Sequence, residues 1–346
     1  MLRFDRLNTP LEDWDDTLST FSNRTIFQTA AWLRFLENTQ HGEVVIAALT
    51  DSDQIFGYFS GLIVRKCGIR ILGSPFRGWT TAHMGLTLSA KIPRSAALRA
   101  LVEFAFERLR CLHLELMDRD VRMEDLSGLN CKFHMYSAHE VDLTANEDAI
   151  LGRMTRQCRG CIRKATRCGV VIEEATDLSF ADEYYDQLSS LYARQGLRPA
   201  YDAERVRELI RILQPTGSLL LLRARTPAGA CIATAISVGA HSAAYLWGLA
   251  SYQNYRTLRP NELLLWSAMR YWKRRGIQPF HMAGLGHFKR KFGGCEIAVP
   301  WLMISKLPLV AYSRVKAEAV VRWWLQSRLR LMTEGVLGEK LRPKAQ

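Results

Sequence analysis

Short apolar runs separated by polar turns outline the chain. Gly42–Thr50 is a mainly apolar run, and after a polar turn Ile55–Val64 follows as a second. The spacing predicts a β-hairpin. The same plan returns later, with Gly217–Thr226, the turn Pro227-Ala-Gly229 and the run Ala230–Val238. Each hairpin is followed by another strand-like run (Ile69–Leu72 and Ala243–Leu249) and an irregular loop. An amphipathic helix comes next (Ser95–Leu109 and Asn261–Arg275), then a short strand (Leu112–Met117 and Pro279–Met282). Two copies of a strand–strand–strand–helix–strand unit imply duplication, with a cleft between or within the copies. The offset between copies shortens from hairpin to helix, as loops of unequal length would cause.

Other elements fit around the repeat. Phe27–Glu37 has helical spacing, and Tyr136–Thr144 reads as a strand and linker into the second copy. Asn146–Asp148 can open a helix that Gly152–Gly169 continues as one very basic helix, stopped by Gly169. Val170–Glu174 reads as a strand, and Ser179–Gln195 and Asp202–Leu213 as helices. The turn between those helices, Gly196–Tyr201, is a candidate substrate-contacting loop. Residues 311–334 read as a basic helix with Trp323 and Trp324, followed by a tail that should fray. The fold class expected is α/β (α+β), with mixed, mainly antiparallel sheets flanked by helices. The expected domains are 1–145, 146–310 and a C-terminal helix and tail over 311–346.

Composition narrows the class. With 346 residues the chain can bury two cores, and its apolar runs fall far short of the roughly 20 residues of a membrane span. The first residues carry no apolar leader, so the cytoplasm is the expected location. A net charge of +13 favours an anionic partner such as RNA, a phosphorylated substrate, a nucleotide-bearing carrier or an acidic membrane surface. The basic C-terminal helix would suit peripheral attachment to the inner membrane surface. Cys158, Cys161 and Cys168 fall on one helical stripe with Ile162 and Ala165, and no fourth zinc ligand is evident. Packed core thiols are therefore expected, and no metal.

The segment Tyr245–Gly294 is densest in chemistry. It holds a strand ending Trp247-Gly248, a Pro260-Asn-Glu262 helix start, a glycine-bounded strand, and then Phe288-Lys-Arg-Lys-Phe-Gly293. That order resembles the FemABX-like acyltransferases of the acyl-CoA N-acyltransferase (GNAT) superfamily, close to the BioF2-like acetyltransferases. Arg159–Gly169 resembles the helix that opens the second domain there, and Gln28 and Trp32 echo a Gln-x-x-x-Trp helix near the N-terminus. The resemblance runs from about residue 25 to about residue 305.

The resemblance implies two tandem GNAT-like domains, the second catalytic, that move an acyl or aminoacyl group from charged tRNA or a thioester to an amine. Lys289 stands where the family places its lysine and would contact the oxyanion or the reacting end of the donor. Phe288 would wall the acyl pocket, and Tyr245 would orient the acceptor. Arg159, Arg163 and Lys164 are candidates for gripping a phosphate, with Arg194, Arg198 and Tyr201 a second group. A solvated helix face explains the first group equally well. His281 and His287 are candidate bases. The family often has an acidic residue at the position of His281, so the base is left unassigned.

The donor is read from an absence. Asn254–Asn261 lacks the glycines whose amides would cradle a CoA pyrophosphate, so Arg256 and Arg259 would have to substitute. This tilts the reading towards aminoacyl-tRNA over acyl-CoA as co-substrate, with no permanently bound cofactor. The acceptor amine is expected in envelope, polysaccharide or peptide synthesis, and a membrane-associated acceptor fits the basic tail. The oligomeric state is not legible. The rival is a non-catalytic RNA- or membrane-surface-binding protein that keeps the duplicated fold.

Overall fold

The computed structural model describes residues 1–52, 54–66 and 68–307. The helix expected over 311–334 lies outside the described residues. In the first half, β1 (Arg3–Arg6) and α1 (Trp14–Leu18) precede α2 (Ala30–Gln40). The helix predicted from Phe27 begins later, because the Thr29 hydroxyl accepts the Trp32 amide at 3.3 Å and caps α2. Gln28 lies in a separate turn and donates to the Met84 carbonyl at 2.6 Å. The hairpin is β2 (Glu43–Asp51) and β3 (Gln54–Lys66), followed by β4 (Ile69–Ser74) and β5 (Leu86–Leu88). Then come α3 (Arg94–Glu103), extended by a wide turn to Arg108, β6 (His113–Met117) and β7 (Lys132–Asp142).

The second half opens with α4 (Glu147–Arg153) and α5 (Arg156–Arg167). The single basic helix expected over 152–169 is therefore broken. Met154 is extended, and the Thr155 hydroxyl accepts the Cys158 amide at 3.2 Å, which starts a new helix. Next are β8 (Val171–Ala175), α6 (Phe180–Ala193), α7 (Ala203–Leu213) and the hairpin β9 (Leu219–Arg225) and β10 (Cys231–Ala240). The half ends with β11 (Ala243–Ser251), α8 (Pro260–Arg274), β12 (Pro279–His281), the short α9 (His287–Arg290) and β13 (Cys295–Ser305).

The strands form one sheet in the order β1-β2-β3-β4-β6-β13-β7-β12-β11-β10-β9-β8, with β5 on β3. The duplicated plan is visible in the pairing. β4 runs parallel to β6, and β11 runs parallel to β12. Each copy then gives its last strand to the other. β7 pairs antiparallel with β12, β13 pairs antiparallel with β6, and the two exchanged strands pair with each other from Cys295–Glu140 to Met303–Lys132. The stretch expected to link the copies is thus the seam that makes their sheets continuous.

Helices cover both faces. On one, Trp32 and Phe35 of α2 share a core with Tyr184 of α6 and Leu209 of α7, so the two halves pack together there. On the other face, α3 covers the first half while α5 and α8 cover the second. Strands buried on both sides, such as β10, read as continuous apolar runs for that reason. Among the described residues no helix is long and apolar enough to cross a membrane.

Candidate active site

The parallel strands β11 and β12 meet in two rungs, Ala244–Phe280 and Tyr245–His281. Beyond them β12 ends while β11 runs on to Ser251, and the gap opens into a cavity of about 610 Å³. All parts of the chain contribute to its wall. The first half supplies Phe27 and the loop from Arg77 to His83, the exchanged strands supply Tyr136 and Trp301, and the second half supplies Tyr245 and Trp247.

A connected polar group forms one side. The Tyr245 and His281 rings stack at 4.5 Å with an interplanar angle of 9°. Arg119 Nη1 lies 3.1 Å from His281 Nε2 and can only donate, so Nε2 accepts. His281 Nδ1 then carries the proton and donates to Glu140 Oε2 at 3.0 Å. Arg119 Nη1 also donates to that oxygen, at 3.0 Å. Both ring nitrogens are thereby engaged. The Tyr245 hydroxyl lies 3.5 Å from His83 Nε2.

Burial sets the protonation of the neighbours. His83 is lowered to about 3, by burial first and then by His281 and Arg119, so it is neutral at pH 7. Burial raises the Tyr245 phenol well above its usual value of 10.0, so it keeps its proton. For Glu140 burial pulls upward, but the hydrogen bond from His281 and the charge of Arg119 prevail and lower the carboxyl to about 2. These groups offer the site hydroxyl and guanidinium donors. Glu140 also gives a pH prediction. A carboxyl depressed in the folded chain stabilises it fully above its unfolded value of 4.5, and that contribution fades as pH falls towards about 2. The difference in melting temperature between wild type and Glu140→Gln should be constant from about pH 6 to about pH 5 and narrow below about pH 4. A difference independent of pH would show that Glu140 contributes no ionic stabilisation.

The sequence candidates divide by place. Tyr245 and His281 line the cavity. Lys289, on α9, stands at its edge. Its Nζ is 3.8 Å from the point a β-carbon on Gly284 would occupy, as is the hydroxyl of the cavity residue Tyr136. Lys289 is half-buried, which lowers its ammonium below the usual value of 10.5, and it makes no ion pair among the described residues. Phe288 does not line the cavity and packs on Phe292 at 5.6 Å and beneath Lys291 Nζ at 4.1 Å. His287 is exposed.

The basic candidates lie outside the cavity wall. Arg159 Nη1 donates to the Gly152 carbonyl at 3.0 Å and to that of Met154, closing the end of α4. Arg163 and Lys164 are exposed on α5, and Arg198 and Arg256 are exposed in turns. Arg194 donates to the Gln253 side chain. Arg259 precedes α8 with φ of 60°. Tyr201 bonds the Tyr184 hydroxyl at 2.8 Å and packs on the cavity residue Trp247 at 5.3 Å. Cys158 and Cys161 are buried, Cys168 is half-buried, and burial pushes the Cys158 thiol up to about 12.

His83, Arg119, Glu140, Tyr136 and Trp301 were not singled out by sequence reasoning. None sits in a local motif. Only the strand exchange places Glu140 of β7 beside His281 of β12, and only the closure of the halves brings His83 against Tyr245.

Residues 152–290 match the model of the acetyltransferase (GNAT) domain. No curated protein matches the sequence. Among solved structures, FemX superposes with a TM-score of 0.72 at 14% identity, covering 89% of this chain and 99% of FemX. A tandem GNAT protein from the clavulanic acid biosynthesis pathway, solved without AcCoA, gives 0.58 at 13% identity, over 89% and 99% of the two chains. L-PGS from Bacillus licheniformis gives 0.53 at 11% identity, over 92% and 96%. The chain has a FemABX-like GNAT fold. Tyr245, His281 and Lys289 fall within the matched GNAT domain, whereas His83, Arg119 and Glu140 come from outside it.

Proposed function

We propose that this chain is an N-acyltransferase that joins an acyl or aminoacyl group to an acceptor amine in the cavity between its halves. The observation that carries the reading is the cavity at the parting of β11 and β12, lined from within the matched GNAT domain by Tyr245 and His281. The amine nitrogen attacks the activated carbonyl carbon, its pair forms the C–N bond, and the carbonyl oxygen takes up negative charge. Collapse of that intermediate expels the oxygen of a tRNA ester or the sulfur of a thioester. The Lys289 ammonium donates to the transient oxyanion, and the protonated Tyr245 hydroxyl orients the amine. With His83 neutral and the His281 lone pair engaged, the proton lost by the amine passes through solvent to the departing oxygen or sulfur, and no covalent enzyme intermediate forms.

The donor is an aminoacyl-tRNA in this reading. A CoA pyrophosphate would seek the amides at the start of α8, where Glu262 already sits buried in the first turn, bound to Lys291 at 2.6 Å. A second anion there meets a buried carboxylate. The test is a parallel binding titration with charged tRNA, uncharged tRNA and acetyl-CoA at about 150 mM salt. Preference for one charged tRNA supports the reading. Saturable acetyl-CoA binding with weak, salt-sensitive tRNA binding would replace tRNA by CoA as carrier.

A further inference from the structure

The cavity wall contains a cation and no carboxylate. Its lining includes Arg77 but neither Asp nor Glu, and Glu140, behind His281, is already bound to His281 and Arg119. Arg77 makes no ion pair among the described residues. Its guanidinium is set over the Trp301 ring at 5.4 Å, and His134 also packs on Trp301 at 5.8 Å. Trp301 is itself fixed, its Nε1 donating to Glu115 Oε2 at 3.2 Å.

The loop that carries Arg77 is braced from the other half of the molecule. Arg205 of α7 donates to the Trp79 carbonyl at 2.7 Å and to the Thr80 hydroxyl at 3.3 Å. Trp79 packs edge-on against Phe76 at 4.8 Å, and Thr80 is held at φ of 56°. A guanidinium on such a support loses little conformational freedom on binding, and a fork of N–H donors suits two oxygens of one anion.

We propose that the cavity takes a substrate bearing a negatively charged oxygen group, carboxylate or phosphate, which Arg77 holds at the rim while the amine points inward to Tyr245. This rests on reading the cavity as the acceptor site, and the test measures binding, not turnover, so that it succeeds or fails apart from the acyl-transfer reaction. Three probes share one aromatic amine: 4-(aminomethyl)benzoate, 4-(aminomethyl)phenylphosphonate and the neutral 4-(aminomethyl)benzamide. Each is titrated calorimetrically into the full chain, wild type, Arg77→Met and Arg77→Lys. Wild type should bind at least one anionic probe about tenfold more tightly than the amide. Whichever of the carboxylate and phosphonate binds better names the group. Arg77→Met should erase the preference and Arg77→Lys restore part of it, both with unchanged melting temperature because Arg77 is exposed. Equal binding of all three probes by wild type, no binding of any, or a preference that survives in Arg77→Met would overturn the proposal.

Discussion

Replacing Lys289 with alanine should lower turnover about a hundredfold and leave the melting temperature almost unchanged. The side chain is half-buried at the cavity edge, carries no carboxylate partner among the described residues, and has its ammonium lowered by burial. A lysine kept there without an ion pair contributes little to stability, so its removal costs little. In the proposed reaction it donates only when charge develops on the carbonyl oxygen, and so the loss should fall on kcat more than on KM. Protonation matters too. Because the folded chain lowers this ammonium below 10.5, wild-type turnover should begin to fall at a pH below that value as the donor is lost. Lys289→Arg should retain part of the rate and flatten that alkaline limb, since guanidinium stays charged. Full activity in Lys289→Ala would remove the residue from the mechanism.

The elements of this fold were legible because their signals are local. The hairpins, α8 and β6 announced themselves by period and by turn residues, and the duplicated order followed from comparing the two halves. The break at Met154 was missed because Arg153–Arg167 keeps helical spacing across it, and a lone Thr155 cap is a weak signal inside a basic run. The site was legible only within the segment Tyr245–Gly294, where the chemistry is densest in the sequence. Tyr245 and His281 face each other on one rung of a parallel pair, and both were named from the sequence. Glu140 and Arg119 were not, because β7 reaches β12 by an exchange between copies that no sequence period records. Lysines two positions apart were equally opaque. In Phe288–Gly293 the spacing does not say which of Lys289 and Lys291 turns inward, whereas packing leaves Lys289 half-buried beside Gly284 and sends Lys291 into the core.

Lys291→Met should therefore destabilise the chain by about 3–5 kcal/mol, the reverse of the outcome at Lys289. Lys291 is 9% exposed and Glu262 5%, and their charges meet at 2.6 Å. The ammonium also sits over the Phe288 ring at 4.1 Å, and the Lys291 carbonyl accepts the Thr155 amide at 2.9 Å where α5 begins. The residue thus joins α5, α8 and α9. Methionine keeps the stem's volume but leaves Glu262 charged, buried and unpaired, which is the costly part of breaking such a pair. The melting temperature should drop on the order of 10 °C. Adding Glu262→Gln to Lys291→Met removes the stranded charge and should recover much of the loss, because an uncharged pair has no desolvation debt left to settle. Below its own melting transition, Lys291→Met should keep a kcat close to wild type, since neither partner lines the cavity. A melting temperature unchanged in Lys291→Met, or a double variant no more stable than the single one, would mean that the pair does not hold α5 and α8 together. The contrast between the two lysines then separates a residue kept for rate from one kept for structure.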